Sequence, residues 1–150
     1  MKFRQHRTYI ILGCMMVLFL QAARLAMVTF DPYLSSRPLA KALMDAPPGE
    51  LIVDNQYYTF SSVSFYTNRR AMLLNGRVNN LEYGSYAPGA PDVFIDDKRF
   101  AELWRSAETY YVVVERPAVS RIQSLTGPGA LHTVASSGGK FLFTNHARLH

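Results

Sequence analysis

The stretch "TYIILGCMMVLFLQAARLAMVTF", residues 8–30, constrains this chain more than any other feature, because Arg24 is its only charge. A helix needs about 20 largely apolar residues to cross the roughly 30 Å hydrocarbon layer of a bilayer. The stretch reaches that length when Arg24 extends its guanidinium to the headgroup level. Lys2, Arg4 and Arg7 precede it without an acid between them. The positive-inside rule therefore predicts a cytoplasmic basic segment over 1–7, a transmembrane helix over 8–30 and everything after it outside.

Two other readings use the same residues. A cleaved signal peptide would be cut near Ala23 or Ala26, but the −3 positions hold Gln21 and Arg24 where a small residue is expected. "ILGC", residues 11–14, looks like a lipoprotein box, yet few apolar residues precede Cys14 and a strongly apolar run follows it. Cys14 is the only cysteine, so no disulfide can form within the chain. A domain outside the membrane must then hold together by its core, and 49% apolar content in 150 residues suffices for one.

The net charge of +5 invites a nucleic-acid reading until it is located. Residues 1–30 carry four basic side chains and no acid, which leaves 12 basic against 11 acidic residues in the rest. The folded part is nearly neutral, and no nucleic-acid partner is expected.

Beyond the span, residues 31–50 read as a linker with one short helix. Ser35 or Ser36 starts it, Pro38 fits its first turn, and Pro47-Pro48-Gly49 ends it. Residues 51–150 alternate apolar runs with helical patterns. "LIVD" (51–54), "AMLLN" (71–75), "VFI" (93–95) and "YYVVV" (110–114) are nearly continuous apolar runs, as in strands covered on both faces. "LHTVA" (131–135) and "KFLF" (140–143), joined by "SSGG", form a hairpin. "DDKRFAELWRS" and "PAVSRIQSLTGPG" carry amphipathic helices, and "QYYTFSSVSFYTN" a weaker one. The predicted class is α/β: a mainly parallel sheet flanked by helices, with a C-terminal antiparallel hairpin, preceded by one transmembrane helix.

In open sheets of this kind, ligands gather beyond the carboxyl ends of the strands. Those ends carry Asp54-Asn55, Asn75-Gly76-Arg77, Asp96-Asp97 and Glu115-Arg116, with the polar loop "LLNGRVNNLEYGSYAPGAP" (73–91) as a wall. The ligand-binding candidates are Asp54, Asn75, Arg77, Asn80 and Glu82. In that role Arg77 pairs with phosphate or carboxylate, and Asn80 and Glu82 bind sugar hydroxyls. The structural alternatives are simple: Asp54 and Asp96-Asp97 as helix caps, Asn79 and Asn80 as turn formers, and Asn75 and Arg77 as ties between the loop and the strand ends. His132 reads as a packed strand residue. No phosphate-cradling glycine loop, nucleophile elbow or metal-ligand spacing is present, so no catalytic residue, metal or cofactor is assigned.

"SSRPLAKAL", a Pro-Gly turn, "LIVDNQYYTFSSVSFYTNRRAMLLNGRVNNLEYGS" and "VFIDDKRFAELWRS" together resemble the C-terminal part of certain bacterial membrane glycosyltransferases. These belong to the superfamily of aminoarabinose transferases and protein O-mannosyltransferases. The most specific pieces are "SFYTNRR", "LLNGRVNNLEYGS" and "DDKRFAELWR", and the likeness runs from the apolar span nearly to the end of the chain. The resemblance implies a last transmembrane helix plus a periplasmic domain at a bacterial inner membrane. It implies a polyprenyl-phosphate-linked sugar as donor, an acceptor, and a multi-span transferase as partner. Members carry their catalytic acids in an early periplasmic loop that has no counterpart here, so the chain is expected to be inactive alone, as a fragment of the enzyme. The alternative is a stand-alone single-pass periplasmic binding or scaffold protein; a soluble domain released by cleavage is a third reading.

Overall fold

The computed structural model describes residues 2–147. It divides into two compact units, one ending at Pro32 and one beginning at Tyr33. The first consists of helix α1, Lys2–Leu34, whose last two residues belong to the second unit. Its stretch His6–Asp31 has a mean hydropathy of 2.0 and is long and apolar enough to cross a membrane. Ile10, Leu18, Phe19, Leu25 and Val28 are exposed along it, as a lipid-facing helix requires.

The second unit is a six-stranded sheet with helices on both faces. In chain order it contains α2 (Arg37–Met44), β1 (Glu50–Asp54), α3 (Tyr57–Thr67), β2 (Ala71–Leu74), α4 (Asn80–Gly84), β3 (Phe94–Ile95), α5 (Asp97–Trp104), β4 (Tyr110–Glu115), α6 (Val119–Thr126), β5 (His132–Ser137) and β6 (Lys140–Thr144). The strand order is β3-β2-β1-β4-β6-β5. The first four run parallel, and β6 joins β4 antiparallel, with Val112 opposite Phe143. The fold class expected from the sequence is the one observed, with the hairpin forming one edge.

The period of two along the strands explains the layering. Leu51, Val53, Leu73, Tyr111 and Val113 point to one face, where Leu39 and Leu43 of α2 and Phe60 and Val63 of α3 cover them. Ile52, Leu74, Val112 and Val114 point to the other, against Phe100 and Trp104 of α5 and Ile122 of α6. Helix α2 is therefore part of the domain core, where the sequence suggested a linker helix. Its Leu39, Ala40 and Leu43 are fully buried.

Local signals set the helix ends. Asp96 caps α5 by accepting a hydrogen bond from the Arg99 amide at 2.7 Å. Asn68, at φ 51°, ends α3 in a left-handed cap. Gly49 is needed for space: a Cβ there would stand 2.6 Å from the Thr109 carbonyl oxygen. Ser36 precedes α2 without capping it. Its hydroxyl donates to the Thr59 carbonyl at 2.9 Å, and its amide donates to the Ser62 hydroxyl at 3.0 Å.

That arrangement serves Lys140, the first residue of β6, which is buried and, among the described residues, has no carboxylate within ion-pair distance. Its ammonium donates to the Leu34 carbonyl at 3.3 Å, the Ser36 hydroxyl at 3.2 Å and the Thr59 carbonyl at 3.4 Å. The cation also lies 6.0 Å from the Phe60 ring centroid. It thus ties the C-terminal hairpin to the start of the domain. Burial lowers the Lys140 pKa below its ordinary 10.5, only partly opposed by Glu115. The folded state then releases this proton at a lower pH than the unfolded state does. Stability from this group accordingly rises as pH climbs through the folded-state pKa toward 10.5. In urea titrations followed by the single, buried Trp104, wild type should gain on Lys140→Met by about 1.4 kcal/mol per unit of depression. A difference that stays constant over that range would show that the ammonium is not desolvated.

Candidate functional site

The parallel strands create one topological switch point. From β1 the chain moves outward through β2 to β3, then returns across β1 to lay down β4 on its other side. The crevice between the carboxyl ends of β1 and β4 is where a fold of this kind offers a site. Asp54 ends β1 there with its side chain only 3% exposed. Glu115 ends β4 and is exposed.

A residue that the sequence reading did not single out fills this position. Arg121, from α6, pairs through Nη2 with Asp54 Oδ1, and its Nη1 donates to Asp97 Oδ1 at 2.5 Å. Asn75, just past β2, donates from Nδ2 to the same Asp97 oxygen at 2.8 Å. One guanidinium thereby joins the end of β1 to the first turn of α5, and Asn75 adds the end of β2. Asp54 caps no helix; the residue before α3 is Gln56, and it makes no side-chain cap bond. The signal for Arg121 was positional. A residue early in the helix that follows a parallel strand lies over the carboxyl edge of the sheet, where it reaches the neighbouring strand's end.

The electrostatics of Asp54 follow from its depth. Burial raises its pKa above the ordinary 3.8, the Arg121 hydrogen bond and charge pull it down, and Asp97 and Glu115 add smaller upward effects. Desolvation is the largest of these. Asp54 is thus a carboxylate already spoken for, enclosed and paired, with its hydrogen-bonded oxygen directed at protein.

The other candidates stand apart from this cluster. Arg77 is exposed and lies over two rings, 5.0 Å from the centroid of Phe94 and 5.7 Å from that of Tyr86. Asn80 and Glu82 are exposed on α4, a five-residue helix within the loop. Among the described residues no hydrogen bond or ion pair joins these three to the Asp54–Arg121–Asp97 cluster. So the structure brings together Asp54 and Asn75 and leaves Arg77, Asn80 and Glu82 on the loop. Asn75 and Asn79 both take φ 53°, a positive angle that asparagine adopts more readily than most residues. Arg116 is also exposed, 6.0 Å from the Phe141 ring centroid, and His132 is half-buried in β5. Among the described residues no group of three His, Cys, Asp or Glu side chains is placed to hold a metal ion.

No protein-family model matches the chain, and no curated protein matches it. Solved structures of ArnT, an aminoarabinose transferase, from Cupriavidus metallidurans share the fold. The apo form has 19% identity and a TM-score of 0.56, covering 77% of this chain and 20% of that one. The form bound to undecaprenyl phosphate has 19% identity and a TM-score of 0.51, covering 74% and 20%. The chain spans about a fifth of the length of these neighbours.

The role of Arg121 has a measurable consequence. Arg121→Met strands the Asp54 carboxylate, at a cost of about 3 kcal/mol in urea unfolding at neutral pH. Partial exposure of Arg121 keeps the loss at the low end for buried pairs. Without the guanidinium the folded-state pKa of Asp54 rises further above 3.8. The folded variant then binds the proton where the unfolded chain does not, so the loss is complete above that pKa and shrinks as pH falls through it. Stability curves between about pH 7 and pH 4 check this, and a loss independent of pH would exclude the stranded carboxylate as its cause.

Proposed function

We propose that this chain is the membrane-anchored periplasmic part of a glycosyltransferase that uses a polyprenyl-phosphate-linked sugar. In this reading residues 1–7 are cytoplasmic, 8–30 cross the bacterial inner membrane once, 31–50 lead out of it and add α2 to the domain core, and the rest of the α/β domain, over 51–150, is periplasmic. The observation that carries the reading is the fold likeness to ArnT over 77% of the chain, in a protein that also has a helix fit to cross a membrane. One of those ArnT structures is bound to undecaprenyl phosphate, which makes a polyprenyl-phosphate sugar the natural donor here.

The described side chains favour an accessory role over a chemical one. Acid–base transfer needs a carboxylate or imidazole within hydrogen-bond reach of a reacting atom. At the switch point the buried acid is engaged by Arg121, and Asp97 is shared between Arg121 and Asn75. We assign the chain to assembly and acceptor access, inactive alone, with a multi-span transferase subunit or the rest of a longer enzyme supplying the reaction. Of the five ligand candidates, Arg77, Asn80 and Glu82 remain available to a sugar or phosphate. Asp54 and Asn75 are instead held in the ion-pair cluster at the carboxyl edge of the sheet, the crest of the domain.

Two experiments test this. An immunoblot of the native cells with antibodies to residues 51–150 should show a membrane band several times larger than 16.9 kDa, or a 16.9 kDa band that co-purifies with a multi-span protein. A band of that size purifying without such a partner would instead favour the single-pass binding or scaffold protein. In the complete enzyme, Arg77→Ala should lower transfer about tenfold by removing a charge-assisted contact. Unchanged transfer would remove Arg77 from the ligand set.

A further inference from the structure

A second opening lies on the α2–α3 face of the sheet, away from the crest. It is a cleft of about 690 Å³ between α3, α4, strand β2 and the edge strand β3. Most of its lining surface is apolar, from Leu73, Leu81, Val93 and Phe94 among others. That volume falls within the roughly 300–1,000 Å³ typical of small-ligand sites. The loop over 73–91 therefore has a use beyond connection: with α4 it builds one wall of this cleft.

Among the described residues, two polar groups in the lining lack partners. Ser64 Oγ is buried and makes no hydrogen bond, although Ser61 and Thr67 of the same helix bond back to the carbonyls of Tyr58 and Val63. A buried hydroxyl without a partner is costly, and a bound ligand atom is one way to satisfy it. Arg70 also lines the cleft, is exposed, and has no hydrogen bond or ion pair among the described residues. Its neighbour Arg69 is committed, donating to the carbonyls of Gly49 and Leu43 and stacking over Tyr111. Among the described residues no acidic side chain lines the cleft, and Glu50, in the adjoining hollow, forms no ion pair with Arg70. Phe65 and Tyr83, next along the chain to Ser64 and Gly84 in the lining, are 80% and 82% exposed. Exposed aromatic rings of this kind suit the interface between water and lipid.

We infer that this cleft binds an anionic amphiphile, its hydrocarbon body against Leu73, Leu81, Val93 and Phe94 and its phosphate or carboxylate head on Arg70, with Ser64 donating to a polar atom. The inference uses nothing from the transferase reading and stands if that reading fails. The source is either a bilayer lipid or a dissolved amphiphile, and the two share this chemistry.

The test uses the full chain in nanodiscs of neutral phosphatidylcholine. One arm carries a diazirine-bearing phosphatidic acid in the bilayer, and the other receives a diazirine-bearing decanoic acid in solution. After irradiation, labelled peptides are located by mass spectrometry. Labelling within residues 57–64 and 81–94 is expected in at least one arm, and the arm that labels identifies the source. Arg70→Ala, at an exposed position, should reduce it about tenfold, and the uncharged diacylglycerol or decanol probe should label as weakly. Leu81→Trp, which fills the cleft, should abolish it. Labels confined to residues 8–30 in both arms, or cleft labelling that Arg70→Ala leaves unchanged, would overturn the inference.

Discussion

The pairing of β1 with β4 is the constraint on which the domain depends. Leu51, Ile52, Val53, Val112, Val113 and Val114 are all buried, so both faces of this central pair must be covered. Burying a side chain of this size contributes about 1.5–3 kcal/mol, and parallel strands cannot be joined by tight hairpins. Helices therefore supply the cover, with α2, which precedes β1, and the crossover helix α3 on one face and α5 and α6 on the other. Once those layers are packed, the chain reversal between β1 and β4 leaves a crevice at their carboxyl ends.

Polar side chains fasten this framework at two places and solve the same problem differently. At the crest, a buried carboxylate is offset by a guanidinium that reaches Asp54 across 67 residues of sequence. At the other, Lys140 forms no ion pair among the described residues and donates to carbonyl and hydroxyl oxygens, including the Ser36 hydroxyl 104 residues away. In both cases desolvation outweighs the partners in setting the pKa direction. Such ties select one arrangement of elements, since leaving either group unmet in another packing would be costly. Asn145 works similarly without charge, accepting from the Tyr110 amide and donating to the carbonyls of Trp104 and Glu108.

The β3 edge has the opposite character. Two residues pair there, and the loop before them holds only the short α4. A five-residue helix presents little more than one apolar turn, and Leu81 is its half-buried contribution to the core. The layer above β2 and β3 is thus incompletely filled, which leaves the cleft beside Phe94. The carboxyl edge is closed by paired side chains, whereas this flank is open and its lining includes Arg70, which has no hydrogen bond or ion pair among the described residues.

The local grammar of the chain was legible from residues alone. Apolar runs located the strands to within a residue or two, Asp96 marked the start of α5, and "SSGG" marked the hairpin, where Gly138 and Gly139 both take positive φ. The length and charge distribution of the first helix marked it as fit for a membrane. These features depend on periodicity, backbone preference and solvent, all of which act over a few neighbouring residues. The strand order, the inclusion of α2 in the core, the capture of Asp54 by Arg121 and the burial of Lys140 were decided only by the tertiary structure. Each depends on which distant groups the packed sheet brings within hydrogen-bond range, and a one-dimensional pattern carries no distance between residues 54 and 121.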